Sequence, residues 1–239
     1  MRRVVVYADA QAVADATGAR LGLLISDAVA TRGVAHVVLT GGTVGTELLR
    51  SLASSPLATL IDWMSVHVWW GDERFVPAGD PDRNELQAQH ALLSSVPLPE
   101  EHIHRMGSAD AFSSAEAAAV SYFAEILGQD SPEWDVVLVG LGPDGHVASL
   151  FPSHPGFTSS GMGSHVIAVH DSPKPPSTRV SLTIASINRA REVWVVAAGE
   201  AKSDVVSRSL AGDTQLPGAA VAGTEKTLWL IDAAASTAI

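Results

Sequence analysis

The stretch that decides the fold is Asp135-Val136-Val137-Leu138-Val139, which is followed at once by Gly140-Leu141-Gly142-Pro143-Asp144-Gly145-His146. Its consecutive aliphatic residues, without polar alternation, are typical of a strand that is buried on both faces of a sheet. The glycines predict a tight turn out of this strand, and we expect a helix to begin at the histidine. Parallel strands buried on both faces need covering helices, so the stretch predicts an α/β protein.

The same alternation of strand and helix runs through the rest of the chain. Further strands are predicted at Val4–Tyr7, His36–Thr40, Val66–Trp70, Val166–Val169, Val180–Ile184, Val193–Ala198 and Leu228–Ile231. Helices are predicted before Gly33 and over Thr43–Leu52, Asn84–Leu93 and Ser114–Leu127. This rhythm predicts right-handed crossovers and a mostly parallel sheet covered by helices on both faces. We expect residues 1–239 to form one domain, with inserted segments near 80–110 and 152–178 and a loop over Phe151–Gly163.

The charge balance restricts the partners of the protein. The chain has 26 acidic and 15 basic residues and therefore a net charge of −11. A general nucleic-acid binder needs a basic face that releases counterions from phosphates, and an electrostatic membrane anchor needs a basic patch. We therefore expect neither a nucleic acid nor a membrane as partner, and a monomer or weak homo-oligomer as the assembly.

The absence of cysteine restricts the chemistry. It excludes disulfides, cysteine-bound zinc, iron–sulfur clusters and thiol nucleophiles. The apolar run Val4–Ala8 is too short for the core of a signal peptide, and no stretch approaches the ~20 apolar residues of a membrane-spanning helix. These features predict a cytoplasmic protein.

Ligands of open parallel sheets bind beyond the carboxyl ends of the strands, so the loops that follow the strands are the candidate site. Thr40-Gly41-Gly42-Thr43 fits either a phosphate-binding turn at a helix N-terminus or a plain tight turn. Gly71-Asp72-Glu73-Arg74 fits either a solvated turn or a site where the arginine holds a phosphate or carboxylate. Gly199-Glu200-Ala201-Lys202 carries one of only three lysines, although spacing alone favours a surface position.

His146 is the candidate base among nine histidines. At the start of a helix its imidazole would stay neutral and ready to accept a proton, with Asp144 as a helix cap. His102 and His104 could share a strand face, but no third ligand stands near them, so no metal site is expected. Without cysteine or a Gly-x-Ser-x-Gly elbow, a base-activated water is the natural nucleophile of a hydrolase.

At these loops the sequence resembles the 6-phosphogluconolactonase family. The matching stretches, in the family's order, are Leu39-Thr40-Gly41-Gly42, Trp70–Pro77, Asp135–Pro152, Asp171–Pro176 with Arg179–Thr183, Gly199–Lys202, Leu216–Ala219 and Leu228–Asp232. The resemblance implies hydrolysis of 6-phospho-D-glucono-1,5-lactone to 6-phospho-D-gluconate, the second step of the oxidative pentose phosphate pathway. It also implies a Rossmann-like, three-layer α/β sandwich and neither a metal nor an organic cofactor.

The resemblance also assigns roles to residues. His146 would be the general base that activates water, and Asp72 and Arg74 would complete the catalytic group. The groups that would hold the 6-phosphate are Arg74, Arg179, Lys202 and the backbone of Gly41, Gly42 and Thr43. Val147 stands where relatives often carry Ser or Thr, so no hydroxyl contact is expected from that position.

Two other functions compete with the lactonase. A glucosamine-6-phosphate deaminase, or isomerase-like enzyme, shares the Gly-x-Asp-Gly-His pattern but continues with a Phe-Asn-Glu-Pro type of segment. Here the continuation is Ser149-Leu150-Phe151-Pro152, which lacks the glutamate and favours the lactonase. A non-catalytic sugar-phosphate sensor domain would normally accompany a DNA-binding module, and the sequence contains no basic helix-turn-helix pattern.

Overall fold

Six parallel strands form the central sheet of the computed structural model, which describes residues 1–129, 132–158 and 165–239. They are β1 (Arg2–Tyr7), β2 (Ala35–Leu39), β3 (Val66–Trp70), β5 (Val136–Gly140), β8 (Glu192–Ala197) and β9 (Lys226–Asp232). Their order across the sheet is β1-β9-β8-β5-β2-β3. β1 lies at one edge; from β2 the chain runs to β3 on one side and through β5, β8 and β9 on the other. This change of direction between β2 and β5 places a ligand crevice at the carboxyl ends of the central strands.

Helices cover both faces of this sheet. They are α1 (Ala10–Arg32), α2 (Gly42–Ser54), α3 (Asn84–Ala91), α4 (Ala115–Gly128), α5 (Pro155–Thr158), α6 (Ile184–Ile187), α7 (Ser203–Leu210) and α8 (Pro217–Ala220). Two apolar cores result, one beneath α1 and α2 and one beneath α4 and α7. Neighbouring residues of one strand enter different cores, as Val137 and Leu138 do, which explains why β5 carries no polar alternation. The α/β sandwich with a mostly parallel sheet is therefore confirmed.

The ends of α1 follow from two residues. The Asp9 side chain accepts a hydrogen bond from the backbone N–H of Ala12, at 2.8 Å, and caps the start of the helix. Gly33 ends it in the left-handed conformation, with φ of 77°, and donates its N–H to the carbonyl of Val29. Among the helices of the described residues, none is long and apolar enough to cross a membrane.

A small antiparallel sheet lies beside the carboxyl ends of the main strands. It has the order β4 (Asp72–Arg74), β7 (Arg179–Leu182), β6 (Val166–Val169). The sequence predicted a loop at Gly71–Arg74, because Asp, Glu and Arg have little intrinsic preference for strands. Pairing with β7 overrides that preference and places Arg74 directly opposite Arg179.

The prediction that a helix begins at His146 is wrong. Residues 141–150 form successive turns instead, and the next helix is the single turn α5. Gly145 has φ of 84°, which no helix interior accepts, and the Gly142 N–H donates to the His146 carbonyl at 2.8 Å. A helix macrodipole therefore does not act on His146. Of the predicted loop Phe151–Gly163, residues 159–163 lie outside the described residues.

Candidate functional site

A cleft of about 390 Å³ opens at the carboxyl ends of the central strands. This volume suits a small-molecule ligand. All eight residues that the sequence analysis selected line it, namely Gly41, Gly42, Thr43, Asp72, Arg74, His146, Arg179 and Lys202. The four loops selected from the sequence therefore converge on one edge of the sheet.

The glycine turn after β2 forms one wall of the cleft. Gly42 has φ of 83°, which favours glycine, and a Cβ on Gly41 would lie 1.7 Å from Oδ1 of Asn84. Gly41 precedes α2 and provides no side-chain cap, so the first N–H groups of this helix face the cleft without a side-chain partner at the N-cap. Such a terminus suits an anion.

His146 is held on the floor of the cleft by Asp144. The Asp144 carboxylate contacts Nδ1 of the imidazole, which leaves Nε2 as the nitrogen available to a ligand. The ring also packs against Phe151, with the ring centroids 4.6 Å apart. A Cβ on Gly142 would lie 1.9 Å from His146 Nδ1, so only glycine leaves room for this ring position. The role of Asp144 is thus to orient the histidine, where the sequence had predicted a helix cap.

Asp144 is ionised in this arrangement. Its partial burial would raise the pKa, but the hydrogen bond and charge of His146, together with the charge of Lys174, outweigh burial and lower the pKa to about 2. An acceptor carboxylate at Nδ1 favours the imidazole tautomer that carries its proton on Nδ1. Nε2 is therefore the atom that can accept a proton from a ligand or water.

Four cationic side chains line the cleft: Arg74, Lys174, Arg179 and Lys202. Their partners among the described residues are mostly neutral oxygens. Arg179 donates to the carbonyls of Lys174, at 3.0 Å, and Pro176, at 3.1 Å, while Lys202 donates to the carbonyl of Leu141. Burial lowers the pKa of Lys202, and the nearby charge of Lys174 lowers it further. Among the described residues, Arg179 and Lys202 form no direct ion pair with a carboxylate, although Asp72 lies near Arg179 and Asp144 near Lys202. Such cations suit an anionic ligand.

Asp72 is buried at the edge of the cleft and is held from two sides. Its Oδ2 accepts from the Ser149 hydroxyl at 2.6 Å, and its backbone carbonyl accepts from the Asn84 amide at 2.8 Å. The sequence analysis expected no hydroxyl contact from Val147, and this side chain is buried in the apolar core. The hydroxyl that contacts Asp72 belongs to Ser149, two residues further along the chain.

Asn84, Ser149 and Lys174 were not selected from the sequence as site residues. Asn84 lies in a segment that the spacing assigned only to a helix, and its approach to Gly41 depends on how α3 packs. Lys174 and Ser149 did lie in stretches that match the family, and that match was the available signal. Within residues 1–129, 132–158 and 165–239, no group of three or more His, Cys, Asp or Glu side chains is arranged to hold a metal ion.

Known proteins resemble this chain over almost its whole length. The family model described as "Glucosamine-6-phosphate isomerases/6-phosphogluconolactonase" matches residues 8–229. A protein of Streptomyces coelicolor named 6-phosphogluconolactonase is 50% identical and is matched over 98% of this chain and 94% of its own length. A protein of Mycobacterium tuberculosis with the same name is 42% identical, over 95% of this chain and 94% of its own.

A solved structure agrees with the sequence relatives. The 6-phosphogluconolactonase of Trypanosoma brucei superposes with a TM-score of 0.83 and 27% identity, covering 99% of this chain and 98% of that one. Since the family model and the relatives both span nearly all of the sequence, this chain belongs to the glucosamine-6-phosphate isomerase/6-phosphogluconolactonase family.

Proposed function

We propose that the protein hydrolyses 6-phospho-D-glucono-1,5-lactone to 6-phospho-D-gluconate, as a 6-phosphogluconolactonase of the oxidative pentose phosphate pathway. The observation that carries this proposal is the pairing of His146 with the Asp144 carboxylate inside a cleft that also contains four cations. A general base and a site for a dianion are the two features that a phosphorylated lactone requires. The names of the relatives point to the same activity.

The reaction needs one base and one water molecule. Nε2 of His146 takes a proton from water as the water oxygen attacks the lactone carbonyl carbon, and the carbonyl electrons move to form an oxyanion. Collapse of this tetrahedral intermediate breaks the bond to the ring oxygen, which takes the proton from His146. The resulting acid ionises to 6-phosphogluconate, and the histidine is neutral again.

The remaining side chains bind and orient the substrate. Arg74, Arg179 and Lys202, with the backbone N–H groups around Gly42 and Thr43, hold the 6-phosphate. Lys174 also lines the cleft and adds positive charge near Lys202 and Asp144. Asp72 organises the site through its hydrogen bonds. No cofactor takes part in this scheme.

A coupled assay on freshly generated lactone tests the proposal. Spontaneous lactone opening must be subtracted at every pH, and 6-phosphogluconate is the product to be measured. The unphosphorylated lactone is the matched control, because it keeps the reacting carbonyl and lacks the dianion. Equal hydrolysis of both lactones would contradict the assigned anion site, and no acceleration over background would contradict the activity.

The same protein should release no ammonia from glucosamine 6-phosphate. The deaminase-type segment would supply a glutamate where this chain has Ser149-Leu150-Phe151-Pro152, and Ser149 here donates to Asp72. Ammonia release at a rate that rivals lactone opening would favour the deaminase. The cytoplasmic location and the weak or absent self-association stay predictions.

A further inference from the structure

Asn84 occupies a position in the cleft wall that the reaction scheme leaves unexplained. It is the first residue of α3, its side chain lines the cleft, and only 3% of the residue is exposed. A buried amide needs hydrogen-bond partners for both its oxygen and its nitrogen. In this protein those partners are two residues of the proposed site.

The amide of Asn84 bridges Arg74 and Asp72. Its Oδ1 accepts from Nη1 of Arg74. Its Nδ2 donates to the backbone carbonyl of Asp72 at 2.8 Å and lies 3.4 Å from Asp72 Oδ1. An amide supplies the acceptor and the donor that these two contacts need. It packs so closely on Gly41 that a Cβ there would lie 1.7 Å from Asn84 Oδ1.

The backbone of Asn84 is also fixed. Its N–H donates to Oε1 of Glu73 at 2.8 Å, and the next N–H, that of Glu85, donates to Oε2 at 2.9 Å. Glu73 is itself buried and accepts from the Arg74 N–H at 2.8 Å. Hydrogen bonds from both the backbone and the side chain of Asn84 therefore connect the start of α3 to strand β4.

We propose that Asn84 is a positioning residue that holds Arg74 and Asp72 in one arrangement across the Gly41 turn. This inference rests on the proposed function, because it assigns Arg74 to substrate binding. Without the amide, the Arg74 guanidinium loses the acceptor that fixes Nη1 and samples other rotamers. A displaced cation weakens binding of the phosphorylated substrate even though its charge is unchanged.

A double-mutant cycle tests the proposal. Asn84→Ala should lower kcat/KM for the phosphorylated lactone by about 100-fold, mainly through KM. In an Arg74→Ala background the same substitution should have an effect about tenfold smaller or less, since the group that it positions is gone. Additive effects in the two backgrounds would overturn the inference.

Asn188→Ala is the matched control. Asn188 also uses its side-chain amide for two backbone contacts, to the Ala220 carbonyl and the Ala222 N–H, and it does not line the cleft. It should lower the melting temperature and leave KM unchanged. If both variants changed only the melting temperature, Asn84 would be structural and the inference wrong.

Asn84→Asp covers the case in which the alanine variant does not fold. It keeps the shape of the side chain but replaces the donor to Asp72 with a second carboxylate, so kcat/KM should fall while the fold is retained. Wild-type kinetics in this variant would also contradict the inference.

The binding of inorganic phosphate separates this inference from the proposed function. If the wild type does not hydrolyse the lactone, the proposed function fails. Titration calorimetry with inorganic phosphate can still measure the double-mutant cycle of Asn84 and Arg74 as changes in phosphate affinity. Coupled losses of phosphate affinity would then support the positioning role alone. If the wild type hydrolyses the lactone but the effects of the Asn84 and Arg74 substitutions are additive, the proposed function stands and the inference is overturned. If the wild type neither hydrolyses the lactone nor binds phosphate, the proposed function and the inference are both overturned.

Discussion

The two ends of the central sheet use the same residue types in opposite ways. At the carboxyl end, His146 lies in an open cleft with one carboxylate partner. At the amino end, His36 and His67 are direct neighbours on β2 and β3, and their rings stack with centroids 4.7 Å apart. His146 is accessible from the cleft, whereas His36 and His67 are packed against other aromatic rings of the protein.

Two further histidines complete the cluster at the amino end, which consists of His36, His67, His102 and His104. His102 stacks on His67 at 3.9 Å, and His104 stacks on Trp69 at 3.7 Å. His67 Nδ1 lies 2.9 Å from His104 Nε2, and His104 Nδ1 lies 2.7 Å from the Glu125 carboxylate. The ring nitrogens of His67 and His104 are thus engaged with each other and with Glu125.

The cationic side chains at the two ends of the sheet also differ in their partners. At the amino end, Arg191 forms ion pairs with Glu133 and Glu225, at 2.6 Å for Glu225, and Lys226 pairs with Glu192. At the carboxyl end, Arg179 and Lys202 donate to carbonyl oxygens. A residue's type therefore says little about function in this protein, and what distinguishes the cleft is that Arg179 and Lys202 form no direct ion pair with a carboxylate of the described residues.

The sharpest contrast is between His146 and His67. His146→Ala should lower kcat by about 10²–10⁴-fold, the usual contribution of a general base, and circular dichroism should be unchanged. His67→Gln should leave kcat/KM at neutral pH unchanged and alter stability instead. Steady-state kinetics on the phosphorylated lactone check both variants, and a folded His146→Ala protein with wild-type rates would remove the base from the scheme.

Two glycines extend the contrast to the backbone. An alanine Cβ at Gly142 would clash with His146 Nδ1 at 1.9 Å, and one at Gly223, at the amino end, would clash with the Lys226 carbonyl at 2.3 Å. Gly142→Ala should therefore displace the base and lower kcat by about 100-fold, since a shift of ~1 Å costs this much. Gly223→Ala should lower the melting temperature and leave kcat of the folded fraction unchanged. If kcat fell equally in both variants, the loss would come from steric crowding in general and not from displacement of His146.

Arginine substitutions test the cations. Arg179→Ala should raise KM for the phosphorylated lactone by about 10- to 100-fold, because a charged hydrogen bond contributes ~1.5–3 kcal/mol. Arg191→Ala at the amino end should leave KM unchanged, since its charge is already paired. Competition by 6-phosphogluconate should weaken only in the first variant. A KM increase in both would mean that long-range charge, and not contact, attracts the substrate.

The sequence predicted most of the fold because most of its strands are continuous apolar runs. It missed β4, whose pairing with β7 opposes local preference, and it predicted a helix where Gly142 and Gly145 require turns. The selected residues all line the cleft, and each follows a strand or lies in a stretch that matches the family. Asn84 and Ser149 were missed, since their contacts join segments that are 12 and 77 residues apart in the chain.

The smallest expected effect concerns the acid stability of the amino end. Burial, together with the charges of His104 and His102, lowers the pKa of His36 to about 4, and burial beside the other three histidines lowers the pKa of His67 to about 3. An unfolded histidine titrates near 6.5, so below that pH the unfolded state binds more protons than the folded state. The contribution of these two histidines to the free energy of unfolding should therefore be complete above pH 6.5 and decrease as the pH falls towards 4.

His36→Gln isolates this contribution. Glutamine does not titrate and keeps an acceptor for the Trp69 indole N–H, which lies 3.3 Å from His36 Nδ1. In urea unfolding, the loss of free energy between pH 7.5 and pH 5 should be smaller in this variant by about 2 kcal/mol. The exposed His90, changed to Gln, is the control and should leave the pH dependence of unfolding unchanged. Parallel curves for the wild type and His36→Gln would contradict a contribution of His36 to the acid sensitivity of the fold.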